Sequence, residues 1–149
     1  MRLPCIQMTK GAKVMCTHSF IVAAALLASG PGAAATYACA HRGDAKVAPE
    51  NTIPAFISAV SKGAHMIEFD VQMTKDGQLV VMHDEDVKRT TGRKGNIVDM
   101  TFDEIRKLDA GNWFDPKFKG TQVPTPREVL EVIPHSILCN VHLKVGPGL

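Results

Sequence analysis

An α/β layered fold is predicted by two observations. Strand-like and helix-like segments alternate along the chain, and one pair of apolar-rich strands is joined by a turn too short to hold a crossover helix. The first segment, "TYACAH", reads as a short strand. "TIPAFISAVSKG" reads as a helix, with Pro54 in its first turn, where a missing N–H costs nothing, and Gly63 at its end. "MIEFDVQM" alternates apolar and polar residues like a strand. Asp76-Gly77 then signals a type I′ hairpin into "LVVMHD". With those two residues as the loop, Lys75 pairs with Gln78, Met73 with Val80, Val71 with Met82, and Asp70 with His83. Thr101 to Glu104 and Thr125 to Glu128 are capping boxes that open two further helices, the second with Pro126 at its first position. "SILCNVHLK" reads as the last strand.

The first 35 residues carry Arg2, Lys10 and Lys13, no acidic residue, and the apolar run "FIVAAALLA". This is a secretory leader pattern, and the small residues of "GPGAAATYA" place cleavage near 35–38. The run is too short to span a bilayer comfortably, so an exported protein, periplasmic or secreted, with no membrane span after leader removal is expected. Taking three cations from a formal charge of +2 leaves about −1, which gives no reason to expect a nucleic-acid partner. Cys39 and Cys139 remain outside the leader, too few for a disulfide framework and without metal-binding spacing, and their pairing is left open. Residues 36–149 read as one domain or part of one, with no internal repeat.

Side chains alternate across a strand, so Glu68 and Asp70 share one face of "MIEFDVQM", with Ile67, Phe69 and Val71 on the other. The predicted hairpin adds His83 opposite Asp70. Burying two carboxylates without a partner is costly, and hard oxygen ligands of this kind suit Mg²⁺ or Ca²⁺. A solvated strand face is the plainer alternative.

The stretches "HRG", "PENTIPAF", "GAHMIEFDVQMTKDGQLVVMHDEDVKRTTGRKG", "LDAGNWF" and "VPTPREVL", in that order, resemble the glycerophosphodiester phosphodiesterase family, within the wider superfamily of phospholipase-C-like phosphodiesterases. The resemblance covers about Ala40 to Lys144. It implies a distorted (β/α)8 barrel of which this chain carries roughly the first half, an incomplete TIM-barrel-like domain. It implies metal-dependent hydrolysis of glycerophosphodiesters to glycerol 3-phosphate and an alcohol. By position, His41 and His83 resemble the family's acid-base pair, Arg42 its phosphate-binding arginine, and Glu68 and Asp70 its divalent-metal ligands, Ca²⁺ or Mg²⁺. Glu50 would lie nearby on the loop after the first strand, as a supporting residue or simply a helix cap. Lys144 matches a lysine near the phosphate.

One departure stands out. His142 occupies a position where the family commonly has a glutamate as a further metal ligand. Asn140, His142 and Lys144 share a strand face, so an imidazole would replace an anionic oxygen and shift metal preference toward transition metals. A buried, hydrogen-bonded strand residue is the other reading of His142. Trp113 is expected in the core, and the charges of "KRTTGRKG" in a solvated turn. A half barrel would expose strand edges and so favour a homo-oligomer, aggregation or poor folding. The competing function is therefore a catalytically inactive fragment, or a module that binds phosphate or a partner without turnover.

Overall fold

The computed structural model describes residues 36–144. The leader expected over residues 1–35 lies outside them. Four strands form one sheet: β1 (Cys39–His41), β2 (Met66–Met73), β3 (Leu79–Val81) and β4 (Leu138–Leu143). Helix α1 (Ile53–Ser61) connects β1 to the parallel β2. Between β3 and β4 the chain makes α2 (Lys88–Thr91), α3 (Phe102–Arg106) and α4 (Pro126–Val132), with short 3₁₀ turns at Ile97–Asp99 and Pro116–Phe118.

β2 is the central strand because both of its edges are used. β4 runs parallel along one edge, from Met66↔Leu138 to Val71↔Leu143. The other edge is shared end to end by β1, parallel at Met66 to Glu68, and by β3, antiparallel at Val71 to Met73. The fourth strand in chain order is thus only the third parallel one, and it pairs with β2. Among the described residues β4 pairs with β2 alone, and it is exposed along its whole length. No described helix is long and apolar enough to cross a membrane.

The alternation of β2 separates chemistry from packing. Ile67, Phe69 and Val71 bury against Phe56 and Ala59 of α1 and Val129 and Ile133 at α4, forming the main core. Glu68, Asp70 and Gln72 are buried on the opposite face. A second core under the long excursion after β3 gathers Val80, Met82, Val87, Ile97, Ile105, Leu108 and Val123. α1 starts with proline in its first turn and stops at Gly63, whose φ of 73° continues no helix. Both predicted capping boxes form, at Thr101 with Glu104 and at Thr125 with Glu128.

Two expectations are corrected. The β2–β3 register is shifted by one residue, with Val71 opposite Val81 and Met73 opposite Leu79. The loop holds three residues, because the Thr74 N–H donates to the Gln78 carbonyl (2.8 Å) and Gly77 takes a φ of 77°. Asp76 is committed elsewhere: its Oδ1 accepts from the Thr74 hydroxyl (2.6 Å) and from the Phe102 N–H at the start of α3 (2.9 Å). Asp70 therefore faces Met82, whose N–H donates to the Asp70 carbonyl (3.1 Å), and His83 lies one residue further on. The question of the cysteines is also answered. Cys39 and Cys139 lie on strands that flank β2 from opposite sides, roughly two strand spacings or about 10 Å apart, beyond disulfide reach of each other.

Candidate active site

The site begins where β1 ends. After His41 the backbone turns through two left-handed residues, Arg42 (φ 56°) and Gly43 (φ 77°). This turn aims the Arg42 N–H at Glu68, donating to Oε2 at 2.9 Å, and leaves His41 Nε2 3.9 Å from the same oxygen. The Arg42 guanidinium donates to Glu50 Oε1 (3.0 Å), and its Nε lies 3.5 Å from Asp70 Oδ2. The loop is closed by Asn51, also left-handed (φ 56°), a conformation that asparagine tolerates better than most residues. Its N–H donates to the Arg42 carbonyl (3.0 Å) and its Nδ2 to Asp70 Oδ2 (2.9 Å). Neither Glu50 nor Asn51 caps α1; the N-cap position is Thr52, whose hydroxyl bonds back to the Pro49 carbonyl.

From the other edge of β2, β4 brings His142 opposite Asp70. His142 Nδ1 lies 3.1 Å from Asp70 Oδ1, and the Lys144 ammonium 3.7 Å from the same atom. His142 is exposed, so the reading of it as a buried strand residue is corrected. Glu68, Asp70 and His142 each offer a ligand atom within 4.8 Å of the others. Asp70 Oδ1 is buried and accepts no hydrogen bond. Burial is the main influence on the Glu68 carboxyl and pushes it above the ordinary range; the adjacent Asp70 adds to this, and the Arg42 N–H offsets part of it. Two buried carboxylates, one with an oxygen lacking a hydrogen bond, and an imidazole within reach fit a divalent cation.

His83 reaches the site by a different route from the one expected. The buried Gln72 side chain donates to the carbonyls of Met82 (2.9 Å), His83 (3.1 Å) and Asp84 (2.7 Å), pinning the loop that carries it. Its ring Nδ1 lies 2.7 Å from Asp84 Oδ1. Asp84 Oδ2 in turn accepts from Arg89 Nε (2.5 Å), and Arg89 grips Glu50 with both terminal nitrogens (3.0 and 2.7 Å). Despite its burial, which favours the neutral acid, Glu50 is held below the usual carboxylate range by Arg89 and Arg42. Asp84 is lowered to about 2, chiefly by its hydrogen bond from Arg89 and, against the effect of burial, also by His83.

Six of the predicted residues, His41, Arg42, Glu68, Asp70, His142 and Lys144, come together at the C-terminal ends of the parallel strands. Glu50 joins them through Arg42, and His83 connects through Asp84, Arg89 and Glu50. Sequence reasoning missed Asn51, Gln72, Asp84 and Arg89. The charges of "KRTTGRKG" are exposed, as expected, but Arg89 is also bonded to two carboxylates. The expectation for Trp113 is corrected: it is 40% exposed, with the Arg89 guanidinium 5.8 Å from its ring centre. The signals were present, since Asp84 follows His83 directly and Arg89 lies five residues on. Only the folded loop brings them to Glu50.

Residues 41–148 match the model of the glycerophosphoryl diester phosphodiesterase family. The chain belongs to that family. It is 54% identical over 119 residues to a glycerophosphodiester phosphodiesterase of Caldanaerobacter subterraneus, covering 76% of this chain and 49% of the relative. It is 43% identical over 103 residues to human glycerophosphodiester phosphodiesterase 1, covering 67% of this chain and 31% of the relative. Among solved structures, a glycerophosphodiester phosphodiesterase from Agrobacterium tumefaciens superposes with a TM-score of 0.70 at 42% identity, covering 73% of this chain and 47% of that one. A phosphodiesterase from Oleispira antarctica, in complex with its product sn-glycerol-3-phosphate, gives the same TM-score at 35% identity, covering 73% and 44%. The chain thus spans about half the length, or less, of these relatives. Its mixed sheet is a partial form of their TIM-barrel fold.

Proposed function

We propose that this chain holds the metal-binding and acid-base residues of an exported enzyme that hydrolyses glycerophosphodiesters to glycerol 3-phosphate and an alcohol. The observation that carries the reading is the convergence of Glu68, Asp70 and His142 beside Arg42, with Asp70 Oδ1 buried and accepting no hydrogen bond. Family membership supports it, and so does the solved relative in complex with sn-glycerol-3-phosphate.

Glu68, Asp70 and His142 would hold the cation, which when bound supplies positive charge to the phosphate oxygens. Arg42 and Lys144 bind and orient the phosphate, Arg42 by its guanidinium fork. One histidine of the pair His41 and His83 takes the proton from the substrate's glycerol hydroxyl as its oxygen attacks phosphorus. The other gives a proton to the departing alcohol oxygen. Attack by an internal hydroxyl forms a cyclic diester, and water then opens the ring with the proton roles reversed, giving glycerol 3-phosphate. His142 shifts the cation preference from Ca²⁺ or Mg²⁺ toward the transition metals that imidazole suits.

The test is glycerol 3-phosphate release from glycerophosphocholine by the purified chain with Ca²⁺, Mg²⁺, Mn²⁺ or EDTA, beside His41→Ala. Release abolished by EDTA and by the substitution is expected. The second reading, a phosphate-binding module or inactive fragment, is favoured by the exposure of β4 along its whole length. It gains if the folded chain binds glycerol 3-phosphate without turnover.

A further inference from the structure

We propose that Arg89 is a positioning residue for His83, acting through Asp84 and anchored on Glu50. The inference extends the phosphodiesterase reading by asking how a histidine on a loop outside the parallel strands is held ready for proton transfer.

The arrangement has three links. The Arg89 guanidinium makes two hydrogen bonds to Glu50, whose Oε1 is also held by Arg42, so the anchor is fixed from the β1 side of the site. The remaining nitrogen of the guanidinium, Nε, donates to Asp84 Oδ2, and Asp84 Oδ1 meets His83 Nδ1. The Arg89 guanidinium also stands over the ring of Trp113, 5.8 Å from its centre. Glu50 and Arg89 are 39 positions apart in sequence, so this bridge ties the loop after β1 to the loop after β3.

The chemistry follows from the donor inventory. A carboxylate accepts hydrogen bonds and donates none, and Asp84 is kept a carboxylate by a guanidinium that cannot give up its charge. The contact at 2.7 Å is therefore His83 Nδ1–H donating to Asp84. The neutral ring then carries its lone pair on Nε2, which is the atom free to take or return a proton. Without Arg89, Asp84 loses a charged partner on the oxygen opposite the histidine and is free to rotate. The ring is then no longer held in one tautomer or one orientation. Arg89→Lys keeps the charge but cannot bridge two carboxylates with a planar fork.

The test is nitrogen-15 NMR of the imidazoles in the full chain above neutral pH. In the wild type the His83 Nδ1 resonance should lie in the protonated range and Nε2 in the bare range. In Arg89→Ala, in Arg89→Lys and in Asp84→Ala, both nitrogens should move to the averaged positions of a ring exchanging between tautomers, while the backbone amide spectrum of β1, β2 and β4 stays unchanged. In the same variants, glycerol 3-phosphate release from glycerophosphocholine should fall in kcat by about 100-fold with KM changed less than about threefold, the signature of a misplaced catalytic group. A His83 tautomer identical in wild type and in any of these variants that keeps its fold overturns the proposal. The NMR arm separates the two readings. An inactive wild type with a fixed Nδ1–H tautomer defeats the phosphodiesterase reading and leaves the Arg89 clamp standing; an active wild type with an unchanged tautomer in the variants does the reverse.

Discussion

Gly43 follows the His41-Arg42 pair, and replacing it by alanine separates two costs that are usually mixed. Its φ is 77°, and a Cβ built there would lie 2.8 Å from the Ala55 carbonyl carbon, 2.9 Å from its Cβ and 3.0 Å from its oxygen. Ala55 is fully buried in α1, and its carbonyl already accepts the Asp44 N–H at 2.9 Å. The helix cannot retreat without breaking that bond and disturbing the main core. Placing an L-residue in the left-handed region costs about 1–2 kcal/mol, and forcing a methyl into packed surroundings about 1–3 kcal/mol. Gly43→Ala should therefore destabilise the fold by about 2–5 kcal/mol. Gly77 is the control, because it has the same φ of 77° but nothing within 4 Å of its virtual Cβ. Gly77→Ala should cost only the conformational part, about 1–2 kcal/mol. Urea unfolding of the two variants and the wild type, fitted with a common m-value, measures the difference. Equal losses, agreeing within about 0.5 kcal/mol, would refute the claim that close approach to α1 demands glycine at this position.

Three further outcomes follow from the same geometry. Stabilisation of the wild type by divalent cations should reach about 2.7 kcal/mol at a hundredfold excess over Kd, read as a shift of the unfolding midpoint with and without EDTA, and Asp70→Asn should abolish it. Asp84 has its folded pKa lowered to about 2, so its contribution to stability is fully present above the ordinary carboxylate pKa and disappears as pH falls from about 4 toward 2. Acid unfolding of Asp84→Asn should lack that part of the pH dependence, and matching curves would show that the carboxylate contributes nothing. Thr125→Ala removes the hydroxyl that accepts the Glu128 N–H at 3.2 Å and should cost about 1 kcal/mol of stability by urea unfolding.

The parts of this molecule that were legible in the sequence are those governed by local rules. Pro54, Gly63 and the two capping boxes act within a turn or two of backbone, and each marks a helix end that the structure contains. The two faces of β2 follow from alternation alone. The hairpin register failed because a distant partner intervened: Asp76 bonds to Phe102, and the loop takes three residues where the two-residue signal expected two. The same limit hid Arg89 and Gln72. Nothing near either residue in sequence shows that one will bridge Glu50 and Asp84, or that the other will bond three successive carbonyls around His83. Trp113 was misplaced for a related reason, since the guanidinium beside it belongs to a loop whose fold is set elsewhere.

Under the proposed function, the balance of charge within this site would make a cation and the substrate interdependent. Glu50, Glu68, Asp70 and Asp84 are four carboxylates, and against them stand three fixed cations, Arg42, Arg89 and Lys144. With neutral histidines the site carries one net negative charge, and Glu50 and Asp84 already consume Arg89. A phosphodiester is itself an anion and would be repelled from that arrangement. Glu68 and Asp70 would hold a divalent cation, whose charge would reverse the sign, and Lys144, 3.7 Å from Asp70 Oδ1, would then be available to face the phosphate. Affinity of the folded chain for glycerol 3-phosphate should therefore rise steeply when the divalent cation is added, and in Asp70→Asn this dependence should be lost. Equal affinity with the cation and with EDTA would mean that Arg42 and Lys144 suffice to hold the phosphate, and that the acidic pair has a role other than recruiting charge to it.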